Sequence, residues 1–586
     1  MPLMAGTGLR GEFPGPAQGK GGSSVRSIVA LSALLGLSAF ALPLASAQGE
    51  IRRIADLILI SGRVITLDDP EPRPTPTAVT VAAGRILYVG DDAGALAYRG
   101  PASLVVDLAG GVVIPGFCDA HAHLYGLGKS LREIDLNGTL TPAEAAARVG
   151  DAALATPRGT WLQGRGWDQN DWPGRKFPQR DLLDRVTADR PALLRRVDGH
   201  AAWVNSAALR AAGITAETPD PDGGRVLRDE RGEPTGILID NAIDLVNGIV
   251  PPVDLPERRR RVLLAAEHCL AQGVTGVHDA GAKSEQLTLY RQLAADGELP
   301  LRVYAMLEDD PATLDTWLAA GPYQSRDRMF TARAVKLYAD GALGSRGALL
   351  LADYEDEPGQ AGLQITSTEH LRDVAVRAAR AGFQVCTHAI GDGANRLVLD
   401  LYEEVMRELD LHDARWRIEH AQIVHPGDLG RFAALGVIAS MQPVHCTSDM
   451  DWVEDRLGVD RCQGAYAWRT LGETGARLCF GTDFPVERVN PLEGLYAART
   501  RRRRDGGPSG GWRPQECLDA RTALRLYTAG GAYAAFQEEE LGAVRAGMLA
   551  DLTVLDGDPL AGPPEDLLRM RPILTIVAGK IRFDGR

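Results

Sequence analysis

Apolar residues follow two different rhythms along this 586-residue chain. From 56 to 106, short β-branched runs (LILISGRVITL, AVTVAAGRILYVG, LVVDL) alternate with Gly, Asp and Pro turns, which predicts a small β-rich unit. The same rhythm returns at 551–557 (DLTVLDG) and 573–583 (ILTIVAGKIRF), so both chain ends are expected to build one β-sandwich. Between them the pattern changes. Residues 368–382 have helical apolar spacing, with Thr368 as N-cap and Gly382 as the stop. FQVCTH, WRIEH, VIASMQP and RLCFGTD then read as strands separated by three helical segments. Regular alternation of this kind predicts a parallel α/β sheet with right-handed crossovers. So many repeats fit a (β/α)8 TIM-type barrel better than an open sheet. The stretch 160–255, rich in Trp, Asp, Pro and Gly, reads as an insertion near one barrel face.

The N-terminus has a different character. An uncharged apolar run at 28–44 follows Lys20 and Arg26 and precedes Ala45-Ser46-Ala47. That is the layout of a secretory signal peptide with cleavage after Ala47. The run is shorter than the ~20 apolar residues of a membrane span and contains Gly36 and Pro43. A secreted or periplasmic protein with no stable membrane anchor after cleavage is the expectation. The expected domains are therefore 1–47 signal peptide, 48–114 first part of the sandwich, 115–540 barrel and 541–586 second part of the sandwich.

Composition narrows the chemistry. The net formal charge of −13 gives no electrostatic reason for a nucleic-acid partner. Seven Cys, an odd number with no CxxC pair, form neither a disulfide framework nor a thiolate zinc site. The run 499–507 (RTRRRRDGG) reads as a solvated helix end. Histidine, at 11 residues, is the scarce and informative type.

His121 and His123 sit in IPGFCDAHAH after an apolar strand-like segment, so both imidazoles share one strand face and can reach one ion. Lys336 (RAVKLYADG), His388 (VCTHAIGDG), His420 (RIEHAQ) and Asp483 (CFGTDFPV) each fall near the C-terminal end of a predicted strand. That end is where barrel enzymes assemble their sites. Counting back from Asp483 on strand eight puts His420 on six, His388 on five and Lys336 on four. Strand three then falls at VTGVHD, strand two near ALLRRVDGHA and strand one at the His121/His123 motif. Singly, each residue has a bland reading as a core histidine, a salt-bridged lysine or a helix cap; their shared register favours a site.

These motifs resemble the amidohydrolase superfamily in its YtcJ-like (amidohydrolase family 3) branch, which includes N-substituted formamide deformylases. The resemblance runs from ADLILISGRVITLD through PGFCDAHAH, GRGWDQNDW, DGHAAWVNSAAL, VKLYADGALGSRGA, THAIGD, RIEHAQ and GTDFPV to AGMLADLTVLD. It implies two divalent ions, zinc in the first place, with manganese, iron or nickel left open by so mixed a ligand set. His121, His123 and Asp483 would hold one metal, His388 and His420 the other, and Lys336 would bridge them once carboxylated. The implied reaction is hydrolysis of a small-molecule C–N bond, an amide, N-formyl group or cyclic amide other than a peptide, through a metal-activated hydroxide. Asp483 would accept the proton and pass it to the leaving nitrogen. His200, in DGHA, is a further catalytic and substrate-binding candidate as a donor to the scissile carbonyl, and Trp167, in GRGWD, a substrate-binding candidate as an apolar wall. Asp340 and Arg346 are read as organisers of the loop after the lysine strand. The alternatives are a mononuclear deaminase, an esterase or lactonase, and an inactive relative acting as a binding protein. A homo-oligomer is left open.

Overall fold

The computed structural model describes residues 53–586, apart from 197–200 and 222. The expected leader, its cleavage point and His200 lie outside the described residues.

Eight parallel strands form the central sheet: β1 (Phe117–Ala122), β2 (Val274–Ala282), β3 (Arg302–Leu307), β4 (Phe330–Tyr338), β5 (Gln384–Ala389), β6 (Arg417–His420), β7 (Ile438–Met441) and β8 (Arg477–Phe480). Each pairs with the next in parallel register. Their near-continuous burial, complete along β3, β6 and β7, is that of strands covered on both faces. Between the ends of β8 and β1, two backbone bonds complete the ring: Asp483 N–H donates to His121 O at 2.8 Å, and His123 N–H to Phe484 O at 2.9 Å. The outer helices follow ordinary local rules. Helix Thr368–Arg380 is capped by Ser367, one residue before the expected cap, and ends where Gly382 takes φ +81°.

The expected strand order needs one correction. Ala192–Arg196 belongs to a separate six-stranded sheet, paired with Leu162–Trp167 on one side and Ala201–Val204 on the other. The segment expected as strand three is β2, and Arg302–Leu307, unassigned from sequence, is β3. The total of eight survived because one false inclusion offset one omission. A short apolar run reads the same whether buried in a barrel or in an inserted sheet. That inserted sheet begins at Ile134 and closes around its own core of Trp167, Trp172, Trp203, Leu194 and Ile237.

The chain ends form two further sheets. One has four strands, all from residues 57–107; the other has five and pairs Val112–Pro115 with Leu552–Leu555. Leu57, Val79 and Val106 of the first and Val113, Leu552 and Ile576 of the second share one apolar core. A buried bidentate pair, Arg302 with Asp551 at 2.6 and 2.9 Å, joins β3 to the second sheet. The run expected as a solvated helix end also needs correcting in part. Arg501 is fully buried, stacked over Trp468 and Trp512, because the helix stops at Thr500 and Arg501 turns inward with φ +52°.

Candidate metal centre

Strand alternation brings the first two ligand candidates together. His121 is the penultimate residue of β1, within its buried run, and His123 follows as the N-cap of helix Leu124–Ser130. His123 Nε2 lies 3.1 Å from Asp483 Oδ1, and His121 Nε2 lies 3.7 Å from the same oxygen. Lys336 reaches inward from β4, with Nζ 3.4 Å from His121 Nε2. His420 closes the group. Its ring centroid is 4.6 Å from that of His121 and 4.5 Å from that of His388 on β5. All six residues anticipated from sequence thus meet at the C-terminal ends of β1, β4, β5, β6 and β8.

Outer partners fix how these imidazoles point. His121 Nδ1 meets Glu419 Oε2 at 2.5 Å, His123 Nδ1 donates to Ala280 O at 2.9 Å, and His420 Nδ1 donates to Gln442 Oε1 at 2.9 Å. Each bond commits Nδ1 and leaves Nε2 toward the cluster, as ligand histidines require. Two buried polar atoms, His388 Nε2 and Asp483 Oδ1, have no hydrogen bond at all. Leaving such atoms without a partner is expensive, and their place among clustered imidazoles fits a bound cation as the missing partner. His420 and Asp483 also hold φ +73° and +62°, left-handed values that are uncommon for non-glycine residues.

The electrostatics agree with that fit. Burial, with the positive Lys336 beside it, depresses His121 to about 4 and His388 to about 3, so both imidazoles are neutral near pH 7. Burial also lowers Lys336, against the pull of Glu419 and Asp483, which favours the neutral amine that carboxylation needs. Burial alone would raise Asp483, but the imidazoles of His123 and His445 hold it well below the usual carboxylate range.

A family model for the amidohydrolase family matches residues 104–583. The chain belongs to the amidohydrolase family. It is 36% identical to YtcJ of Bacillus subtilis strain 168, over 83% of this chain and 92% of that protein. An N-substituted formamide deformylase of Arthrobacter pascens is 30% identical, over 91% of this chain and 99% of its own. Among solved structures, an uncharacterized metal-dependent hydrolase from Pyrococcus furiosus superposes with a TM-score of 0.72 at 32% identity, covering 86% of this chain and 100% of that one.

Within this amidohydrolase fold, the structure corrects one site expectation and adds several residues. Trp167 has no exposed surface; it stacks on Trp172, and its indole N–H donates to Leu194 O at 2.8 Å. It is core of the inserted sheet and not a wall of the site, because a register shift at Gly166, φ +106°, breaks the alternation and returns Trp167 to the face of Leu162. Asp340 does organise the loop after β4. It is fully buried, accepting from the N–H groups of Leu349, Ile390 and Gly391, and lies 3.5 Å from His388. Arg346 also ties this loop together, pairing with Asp356 within it nearer the surface.

The residues missed are the supporting ones. Glu419 and Arg417 alternate into the barrel from β6, where Arg417 bridges Glu419 (2.7 Å), His278 (2.8 Å) and Ser440 (2.7 Å). Two charges with period 2 inside an apolar strand were a readable signal. His445, just past β7, places Nε2 3.1 Å from Asp483 Oδ2 and Nδ1 3.5 Å from Glu487. A histidine closely following a barrel strand, in MQPVHCT, is the sequence signal for it. Burial would lower His445, but hydrogen bonds with Asp483 and Glu487 push it up to about 10.

Proposed function

We propose that this chain is a metal-dependent hydrolase of a non-peptide C–N bond, with an amide, N-formyl or cyclic amide substrate. The observation that carries the reading is the convergence of four imidazoles, one lysine and one aspartate, two of whose buried atoms, His388 Nε2 and Asp483 Oδ1, lack hydrogen bonds. The names of two relatives, a metal-dependent hydrolase and an N-substituted formamide deformylase, support it.

His121, His123 and Asp483 would hold one divalent ion and His388 and His420 a second, zinc being the first candidate, with carboxylated Lys336 between them. A lysine ammonium cannot ligate a cation, whereas its carbamate offers two anionic oxygens. When bound, such ions lower the pKa of water toward ~7 and polarise a carbonyl. The protein's share is then positional. Asp483, ionised and at the cluster's edge, takes a proton on a carboxylate oxygen and returns it to the departing nitrogen. The outer partners of His121, His123 and His420 keep the imidazoles from rotating as charge shifts. His200 remains a proposed donor to the substrate carbonyl. Around the site, the two end sheets are read as one small sandwich, and residues 1–47 as a cleaved leader directing export to the periplasm or beyond.

A hydrolysis screen of metal-loaded protein 48–586 tests the reading, across N-formyl compounds, N-acyl amino acids, cyclic amides and lactones. Metal-dependent turnover of a C–N substrate supports it. Turnover of lactones alone would replace it with the esterase reading, and one metal equivalent without a carbamate would replace it with the mononuclear one.

A further inference from the structure

His445 differs from the other histidines of the cluster in what its two nitrogens face. His121, His123 and His420 each spend Nδ1 on an outer partner and turn Nε2 inward. His445 has carboxylate oxygens at both ends: Asp483 Oδ2 at 3.1 Å from Nε2, and Glu487 Oε1 at 3.5 Å from Nδ1. With a carboxylate oxygen as the neighbour of each nitrogen, both ring nitrogens of His445 face partners within the protein. Although His445, His420 and Asp483 lie close enough together to surround an ion, this double engagement argues against His445 as a ligand.

Its effect falls on Asp483. With Oδ2 engaged by His445, Oδ1 is the oxygen turned toward His121 and His123, and it is the one without a hydrogen bond. Glu487 is itself fixed, accepting from Ser448 Oγ at 2.6 Å, so the chain Ser448–Glu487–His445–Asp483 runs from a partly exposed carboxylate to the cluster. Elsewhere the Asp483 main chain is held by its N–H bond to His121 O on β1, and its Oδ1 lies 3.1 Å from His123 Nε2.

We propose that His445 and Glu487 form a positioning pair that sets the carboxylate orientation of Asp483, presenting one defined oxygen to the metal centre. The inference rests on the metal reading above and adds two residues to it.

Cobalt(II) binding to the metal-depleted full chain tests it without any substrate. His445→Ala is expected to weaken cobalt binding, measured by chelator competition, by ~10–100-fold, the range for loss of an outer partner of a ligand. The visible ligand-field bands should shift as Asp483 loses its orientation. His445→Gln keeps an amide donor and should recover much of the wild-type spectrum. Glu487→Ala, at a partly exposed position, should move the bands in the same direction by less, and it decides the matter if His445→Ala does not fold. Wild-type affinity and bands in His445→Ala and Glu487→Ala would overturn the proposal. So would loss of one full cobalt equivalent in His445→Ala, which would make His445 a ligand. Wild-type protein that takes up no cobalt would defeat the metal reading itself, and this inference with it.

Discussion

His121 Nδ1 meets the carboxylate of Glu419 at 2.5 Å, at a point where neither side chain has any exposed surface. Glu419 is in turn gripped by Arg417, so one imidazole is tied to a charge pair in the middle of the barrel. Arg417 and the imidazole hold the carboxyl well below its ordinary range despite a burial that works the other way. Glu419→Ala should therefore do two things. It should weaken metal binding by ~10–100-fold, and it should destabilise the fold by ~3–5 kcal/mol through the unpaired Arg417. Metal titration and denaturant unfolding separate the two effects.

Lys336 is buried among imidazoles with a depressed pKa, and its proposed role depends on a carbamate. Lys336→Ala should reduce turnover by ~100-fold or more, the order expected when a metal site loses the group that fixes its charge and geometry. A carbonyl signal from labelled carbonate, seen by carbon NMR in wild type and absent from the variant, checks the cause.

Asp483→Asn preserves size while removing the proton acceptor. Turnover should fall by ~10²–10⁴-fold, the usual contribution of a general acid–base group. Most of the bound metal should remain. Wild-type kcat in a fully metallated variant would reject the assignment.

Trp167→Ala should be felt in stability and not in substrate binding. The indole is packed among Trp172, Trp203 and Phe177, and truncating a buried Trp costs ~3–5 kcal/mol. An unchanged KM alongside a lowered unfolding midpoint is the expected result.

Asp119 gives a pH-dependent expectation for the metal-free protein. Burial raises its carboxyl to about 7, although Thr482 and the His121 N–H bind it. The folded state then holds a proton that the unfolded chain, with a pKa near 3.8, has already released. Its contribution to stability is thus present at acid pH and falls as pH rises from about 4 to 7. Asp119→Asn should flatten that part of the stability curve relative to wild type, measured by denaturant unfolding across the range.

The sequence was informative where chemistry and periodicity coincided. His121, His123, Lys336, His388, His420 and Asp483 stood at the ends of regularly spaced apolar runs, and the barrel brings all six together. It was uninformative where two environments produce the same pattern. Ala192–Arg196 and Arg302–Leu307 are both short apolar runs, and only their pairing partners tell an inserted sheet from a barrel wall. Supporting residues were harder still. Nothing local to Glu419 says that its partner lies almost three hundred positions earlier at His121. Arg501 shows the limit of composition, since of the five arginines of its run the other four keep some exposed surface while Arg501, the second, is buried against two tryptophans.

The pairing of Val112–Pro115 with Leu552–Leu555 bears on when the molecule can finish folding. The earlier strand leaves the ribosome with its hydrogen-bonding edge bare, and its neighbour is not synthesised until nearly the whole barrel has been made. Contacts of such long sequence separation form slowly. Until the last strands arrive, that edge and the apolar residues behind it are open to other chains. A stop codon that removes only residues 551–586 would therefore spare every residue of the metal cluster and still leave an aggregation-prone nascent product.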